Sequence, residues 1–371
     1  MTMLAGITVV EIAGKGPGPF CGMLLADLGA DVILVERDPP GEEASLGECS
    51  IINRGKRSIA LDVKSRDNVE TVLALIEHAD GLIEGFRPGI MERLGLGPDI
   101  CLRRNPRLIY GRMTGWGQSG PLAQTAGHDL NYIAISGALW YAGLPGEAPA
   151  TPPTLVGDIG GGALYLAVGL LTGILHARGT GRGTVVDAAI IDGSAHMMNL
   201  LLSLRQISQL DMQRGKSLFD GPHWARPYRC QDDGWIAVEC LEPKFYRLLL
   251  ENLDLAGDPA FAAQFDPAQW PHQATRLAAI FAGRTRDAWA EHFAGSNACV
   301  TPVLNPVEAS RHPHGLGRDL YATGANGLQA APAPRFAGAP AWTPPASPRR
   351  GEHTEAILEA LRAGASPWRT T

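Results

Sequence analysis

Two short segments carry residue types able to move a proton. Gly127-His128-Asp129-Leu130-Asn131-Tyr132 offers an imidazole, and Gly157-Asp158-Ile159-Gly160-Gly161-Gly162 offers a carboxylate with a glycine run behind it. A His/Asp pair on opposite sides of a bound carbon removes a proton from one face and returns one to the other. That chemistry needs opposite protonation states. Histidine titrates near neutrality, whereas an aspartate serves as the acid only where burial raises its pKa. Both residues also have a structural reading: His128 as a lone histidine ahead of an apolar run, and Asp158 as the N-cap of a helix starting near Gly161. Glu242, whose local charge partner in sequence is Lys244, is a candidate to orient the imidazole.

The elements that must position this pair begin upstream. Residues 7–12 form a β-type run, 14–19 a Gly/Pro loop, 20–28 a helix stopped at Gly29, and 32–35 a buried strand ending at Glu36-Arg37. A β-loop-α-β order predicts a parallel α/β sheet. Further strands are expected at 59–64, 81–84, 108–113 and 184–188, with a helix over 67–78. Arg37, Lys64 and Arg87 each follow a separate strand. Ligands of open α/β sheets bind at such strand ends, so these cations are candidates to converge on one anion. The basic turn Asn53-Arg54-Gly55-Lys56-Arg57-Ser58 reads by itself as a solvated loop.

Other partial motifs fail on particular residues. Pro19 occupies the third glycine position of a dinucleotide fingerprint and has no N–H for a pyrophosphate. Leu210 stands where a P-loop ending in Gly215-Lys216-Ser217 needs glycine. His312-Pro313-His314 has no acidic or thiol partner nearby and reads as a surface turn, so no metal is expected. The six cysteines, Cys21, Cys49, Cys101, Cys230, Cys240 and Cys299, show no C-x-x-C spacing and read as buried thiols of a reducing compartment.

The chain has 371 residues, 45% hydrophobic and 19% charged, which fits about two globular domains. A net charge of −6 argues against nucleic acid or an anionic membrane as partner. No basic segment followed by an apolar core opens the sequence, and a cytoplasmic location is expected. The most apolar window, 163–177, is shorter than the ~18–20 residues of a membrane span and reads as a buried helix. Met197, Met198 and Leu200 to Leu202 read as a core stripe. Beyond residue 220 the texture becomes that of a smaller α+β domain. Residues 330–350 are Pro/Ala-rich and extended, and a last helix opens at Thr354.

Taken together, several motifs are specific. Gly16-Pro17-Gly18-Pro19-Phe20, Leu25-Ala26-Asp27-Leu28-Gly29-Ala30, residues 53–58, Glu84-Gly85-Phe86-Arg87-Pro88-Gly89, Arg112-Met113-Thr114-Gly115-Trp116-Gly117-Gln118, the two segments of the opening pair, and Leu241-Glu242-Pro243-Lys244-Phe245-Tyr246 resemble the family III CoA-transferase (CaiB/BaiF type) superfamily nearly end to end. Within it they resemble the racemases of 2-methylacyl-CoA thioesters. The resemblance implies an α/β fold: a Rossmann-like large domain over 1–200, a small α+β domain over 220–325, and a return to the large domain over 326–371. It further implies an interlocked homodimer in which Glu242 acts from the other subunit.

The superfamily divides by chemistry. In its transferases the aspartate of the Gly-Asp motif forms an acyl anhydride. In its racemases that aspartate is paired with the histidine. The presence of His128 and of Glu242-Pro243 favours a racemase, with a CoA transferase acting through Asp158 as the alternative. By resemblance the CoA nucleotide lies on Arg37, the Ala60-Leu61-Asp62-Val63 strand, Arg87 and Arg93. Gly127, Asp129, Leu130, Asn131 and Tyr132 belong to the substrate-binding set. The enolate oxygen would meet backbone N–H groups near Gly160 to Gly162. No metal or redox cofactor is implied, since CoA arrives as part of the substrate. The sequence departs from the racemases at Asp220-Gly221-Pro222-His223-Trp224, where His223 and Trp224 are expected to reshape the acyl pocket.

Overall fold

The computed structural model describes residues 3–40, 50–338 and 342–369. The chain forms two compact units. The first comprises Met1–Ser136, Pro152–Met197 and Ser310–Thr371, the second Gly137–Thr151 and Met198–Ala309. These cuts differ from those expected at 200, 220 and 325. Residues 137–151 join the second unit because Arg214 donates to the carbonyls of Ala142, Leu144 and Glu147, and Trp140 Nε1 donates to Met212 O.

In the first unit, strands β1 (Thr8–Ile12), β2 (Asp31–Arg37), β3 (Arg57–Leu61), β4 (Gly81–Glu84), β5 (Ile109–Thr114) and β6 (Thr184–Ala189) form one sheet in the order β3-β2-β1-β4-β5-β6. Every pairing is parallel. Helices α1 (Pro17–Asp27), α2 (Arg66–Glu77), α3 (Ile90–Arg93), α4 (Pro98–Arg104), α5 (Asp129–Ser136), α6 (Leu164–Thr180) and α7 (Ile190–Met197) belong to it, and a π-helix, Leu155–Ala163, runs directly into α6. The apolar runs of the strands follow from burial of both faces. Val10, Ile12, Ile33 and Val35 enter one core with Val72 and Ile76 of α2, while Val9, Val32 and Ile109 enter the other with Leu166 and Leu170 of α6. Chain order reverses between β1 and β4, and a sheet of this order has its ligand crevice at the C-terminal strand ends there.

The basic turn is no solvated loop. Arg54 forms a two-pronged bond to Asp27, Arg57 does the same to Asp31, and Lys56 lies 2.9 Å from Glu11 Oε1 and 2.7 Å from Oε2 with both side chains fully buried. These cations tie the turn to β1, α1 and β2, because unpaired charges at such depth would be prohibitively costly.

Helix α6 continues the π-helix, so that Leu155–Thr180 is a 26-residue helical run apolar enough to cross a membrane by length and composition. Its apolarity has a local account on one side, where Leu166, Ala167, Leu170, Gly173, Ile174 and Ala177 are buried. The other face corrects the expectation of a buried helix, since Val168 and Leu175 are 61% and 71% exposed.

The second unit contains α8 (Asn199–Gln206), the antiparallel sheet β7 (Ala225–Arg229), β8 (Trp235–Glu239) and β9 (Val300–Pro302), and helices α9 (Pro243–Asn252), α10 (Trp270–Phe281) and α11 (Arg286–His292). Its core gathers Tyr228, Ile236, Leu249, Phe261, Phe281 and Trp289. The expected Met/Leu core stripe is not one: α8 has no buried residue, and Leu200 is 73% exposed.

Short helices α12 (Pro306–Arg311) and α13 (Pro313–Gly317) precede a hairpin of β10 (Tyr321–Gly324) and β11 (Gly327–Ala330), which the sequence reading missed. Arg54 holds this hairpin through Gln329 Oε1 and Ala330 O. The last helix, α14 (Thr354–Arg362), follows a segment laid along β3. There Ser58 N donates to His353 Nδ1, Ser58 O accepts from His353 N, and Ala60 N donates to Thr354 Oγ1.

Cys21, Cys101, Cys230 and Cys240 are buried free thiols, but Cys299 is exposed, and Cys49 lies outside the described residues. Burial pushes the Cys101 and Cys240 thiols up to about 12. His312 and His314 are exposed, and the His312 ring caps α13 by accepting from His314 N. Among the described residues no group of three potential metal ligands gathers.

Candidate active site

His128 and Asp158 both belong to the first unit, and Asp129 connects them. His128 directly precedes α5, where its carbonyl accepts from Asn131 N and Tyr132 N and its own N–H donates to Asn131 Oδ1 at 3.0 Å. This closed turn leaves the His128 side chain exposed. Tyr132 fixes the turn from behind: its hydroxyl donates to Gly127 O, and its ring meets Trp116 edge-on with centroids 4.8 Å apart. Gly115 is glycine for this reason, since an added Cβ would overlap the Tyr132 ring.

Asp158 rides on the π-helix. Such helices are rare and accumulate at functional sites. Thr154 enters it with φ 61°, and Asp129 Oδ1 accepts both Gly157 N at 2.9 Å and Asp158 N at 2.8 Å. The capping carboxylate is therefore that of Asp129, and Asp158 makes no side-chain cap. Gly157 leaves the space this requires, because a Cβ there would stand 2.6 Å from Asp129 Oδ1. On the other side Asp158 Oδ2 approaches Gly16, 3.5 Å from where a Cβ would be. Behind the π-helix, Gly193 of α7 crosses so close to Gly161 that a Cβ would overlap Gly161 O.

The half-buried Asp158 carboxyl is pushed up to about 6, chiefly by burial and then by the charge of Asp129, against the pull of His128. A carboxyl near 6 splits between its two forms around neutrality and can act as acid or base. The expected enolate donors near Gly160 to Gly162 are otherwise engaged. A π-helix bonds each N–H to the carbonyl five residues back, and these three N–H groups lie inside that ladder.

The other anticipated residues divide by what they touch. Arg37, Arg87 and Arg93 are exposed and make no salt bridge among the described residues. Arg37 ends β2 and Arg87 follows β4, the two neighbours of β1, so both stand at the C-terminal edge of the sheet. The charge of Arg87 also reaches Tyr132. Lys64 is exposed beyond β3. Ala60 N–H is occupied by Thr354, Leu61 O accepts from Asp38 N, Asp62 closes a turn onto Ser65 and Asn68, and Val63 is half-buried. Leu130 is exposed, whereas Asp129 Oδ1, Asn131 Oδ1 and the Tyr132 hydroxyl bond within the protein.

Glu242 is in the second unit, at the N-terminus of α9. His223 and Trp224 are there too, but neither shapes an open pocket. Both are fully buried, with His223 Nε2 2.8 Å from Tyr246 OH and Trp224 Nε1 donating to Gln264 O. Burial, aided by Arg226, holds the His223 ring down at about 3. The sequence reading missed the bracing role of Asp129. Its one local signal was a carboxylate beside a candidate catalytic histidine.

The chain belongs to CoA-transferase family III, whose profile matches residues 4–354. It is 41% identical over 360 residues to alpha-methylacyl-CoA racemase of Homo sapiens, covering 96% of this chain and 92% of that protein. It is 31% identical over 390 residues to the succinyl-CoA–L-malate CoA-transferase beta subunit of Chloroflexus aurantiacus, covering 96% and 94%. Among solved structures, Rv3272 from M. tuberculosis aligns with TM-score 0.77 and 26% identity over 95% of this chain and 98% of that one. A CAIB/BAIF family protein from Brucella suis aligns with TM-score 0.81 at 24% identity over 96% and 99%, a likeness of fold.

Proposed function

We propose that this protein is an isomerase that inverts the α-carbon of 2-methylacyl-CoA thioesters by 1,1-proton transfer. The observation that carries the reading is the pairing of His128 with an Asp158 carboxyl near 6 in one braced site. The 41% identity to a racemase supports it. The thioester carbonyl acidifies the α-hydrogen. One member of the pair takes that proton, leaving a planar enolate, and the other delivers a proton to the opposite face. For the other enantiomer the roles exchange.

By the same reading Arg37, Arg87, Arg93 and the Ala60 to Val63 stretch bind the CoA nucleotide, and Gly127 to Tyr132 frame the acyl end. Two copies interlock, and Glu242 of one orients His128 of the other. The exposed apolar faces of α6 and α8 support association with a second copy. Sedimentation would return a monomer if this part is wrong.

A second reading has one specific support, the transferase relatives at about the 30% level. In that reading the Asp158 carboxylate attacks the thioester carbonyl and displaces the CoA thiolate. It holds the acyl group as an anhydride until CoA is passed to the acceptor acid. Incubating 2-methylacyl-CoA with the protein in D₂O separates the two. Deuterium entering at C2 without a second acid supports the isomerase, and His128→Ala abolishes it. Transfer of CoA to an added carboxylic acid with release of the 2-methyl acid, hydroxylamine-sensitive labelling of Asp158 and no exchange overturn the isomerase in favour of the transferase.

A further inference from the structure

An ion cluster links β4, β5 and α3, buried at Glu84 and Arg112 and half-exposed at Glu92, and the proton transfer does not use it. Arg112 on β5 donates from Nε to Glu84 Oε1 at 2.9 Å and from Nη1 to Glu92 Oε1 at 2.8 Å, while Nη2 lies 3.4 Å from Glu92 Oε2. Glu84 ends β4 with its side chain fully buried, and its second oxygen accepts Phe86 N–H at 2.7 Å. Buried ion pairs are weak evidence for stability, because desolvation offsets most of the Coulomb gain. Here the effect of the cluster is geometric.

What it holds is the segment from Gly85 to Leu96. This segment turns at Gly89, with φ 85°, and contains α3, a helix of four residues. A single helical turn has little stability of its own, so α3 depends on its fastenings. Arg112 grips Glu92. Tyr110, two residues earlier and on the same face of β5, donates its hydroxyl to Leu96 O at 2.8 Å. Met91 is fully buried in the core that also holds Leu96 and Tyr110. Arg87 and Arg93 stand on either side of this braced turn, exposed and without a carboxylate partner among the described residues. The Arg93 guanidinium lies over Gly89, with Nη1 3.4 Å from the place of a Cβ. Glu92, next to Arg93 in the chain, would oppose its field, but the Arg112 fork occupies both its oxygens.

We propose that Arg112, Glu84 and Glu92 are positioning residues that lock the 85–96 segment and so present Arg87 and Arg93 as a preformed anion site for the phosphates of CoA. The proposal rests on acyl-CoA being the substrate. A locked segment binds without the ordering entropy that a loose one would lose.

Calorimetric CoA titrations of the full protein test it, with hydrogen exchange read over residues 85–96. Glu92→Gln, at a half-exposed site, and Arg112→Lys, which keeps the charge but loses the fork, are each expected to weaken CoA binding about five- to tenfold and to speed exchange over 85–96. Glu92→Gln should leave the melting temperature unchanged. Arg93→Ala should weaken CoA without speeding exchange. Wild-type CoA affinity in both clamp variants, with a loss in Arg93→Ala, overturns the clamp alone. Wild-type affinity in both Arg87→Ala and Arg93→Ala removes the anion site, and the clamp proposal with it, while leaving the proton-transfer reading to its own assay.

Discussion

Asp129 Oδ1 accepts the backbone N–H of Asp158 at 2.8 Å, so one carboxylate holds the main chain that carries the other. The same oxygen takes Gly157 N–H, and its charge also helps raise the Asp158 pKa. Burial is the main cause of the raised pKa, and Asp129, which sets the position, adds to it. Because Asp129 follows His128 directly in the chain, the turn that carries the imidazole also anchors the helix that carries the acid.

Replacing Asp129 by Asn tests that double role. Asparagine keeps an acceptor oxygen for the two N–H groups but removes the like charge. The Asp158 pKa should therefore fall below about 6. The limb of the pH–rate profile for C2 deuterium exchange that reports Asp158 should move to lower pH. An unmoved limb would mean that burial alone sets the acidity. Asp129→Ala, which strands both N–H groups, should in addition lose about 1–3 kcal/mol of stability.

Asp158→Asn should produce an inactive but more stable protein. The folded pKa is raised from 3.8 to about 6, so the folded state holds this proton more tightly than the unfolded chain does. The stabilisation is present below about pH 4 and is lost as pH rises through 6. Above pH 6 the ionised carboxylate burdens the fold. Removing it should gain about 1–2 kcal/mol at pH 8, after allowing for screening at a half-buried group, and nothing at pH 4. Denaturant midpoints at the two pH values read the difference, and equal gains at both would refute the account.

Two glycines should resist substitution for different reasons. Gly157→Ala pushes against Asp129 Oδ1, so its damage should appear in exchange activity and in the Asp158 limb of the profile. Gly193→Ala drives a methyl into Gly161 O, where α7 crosses the π-helix, and should lower stability by about 1–3 kcal/mol. Thermal melts beside activity assays distinguish the two.

Lys56→Met strands the Glu11 carboxylate among apolar neighbours and should cost about 3–5 kcal/mol. Adding Glu11→Leu should restore most of the loss, since a packed apolar pair replaces a buried ionic one. A double variant no more stable than the single would show that the cation is needed for its bonds to Pro19 O and Asn53 Oδ1 as well.

The strands of the large unit were legible because burial on both faces leaves unbroken apolar runs such as Val32-Ile33-Leu34-Val35. His128 and Asp158 were legible as chemistry-bearing types in glycine settings. The role of the basic turn was not, because Arg54, Lys56 and Arg57 find Asp27, Glu11 and Asp31 at separations of 27, 45 and 26 residues, which only the sheet order brings together. The π-helix was hidden because its composition suits an α-helix equally. The α8 stripe misled because periodicity reveals an apolar face but not what covers it.

The segment laid along β3 has a consequence for how the chain reaches its fold. Ser58 and Ala60 sit on an outer strand, and the groups that cap them come from 295 and 294 residues downstream. The whole second unit lies between. Until that long loop closes, β3 presents bare peptide groups to any passing strand, the template from which sheets aggregate. Contacts so distant in sequence form late. A truncation before Gly351 should therefore show itself first as poor solubility during refolding, well ahead of any loss of catalytic competence in the molecules that do fold.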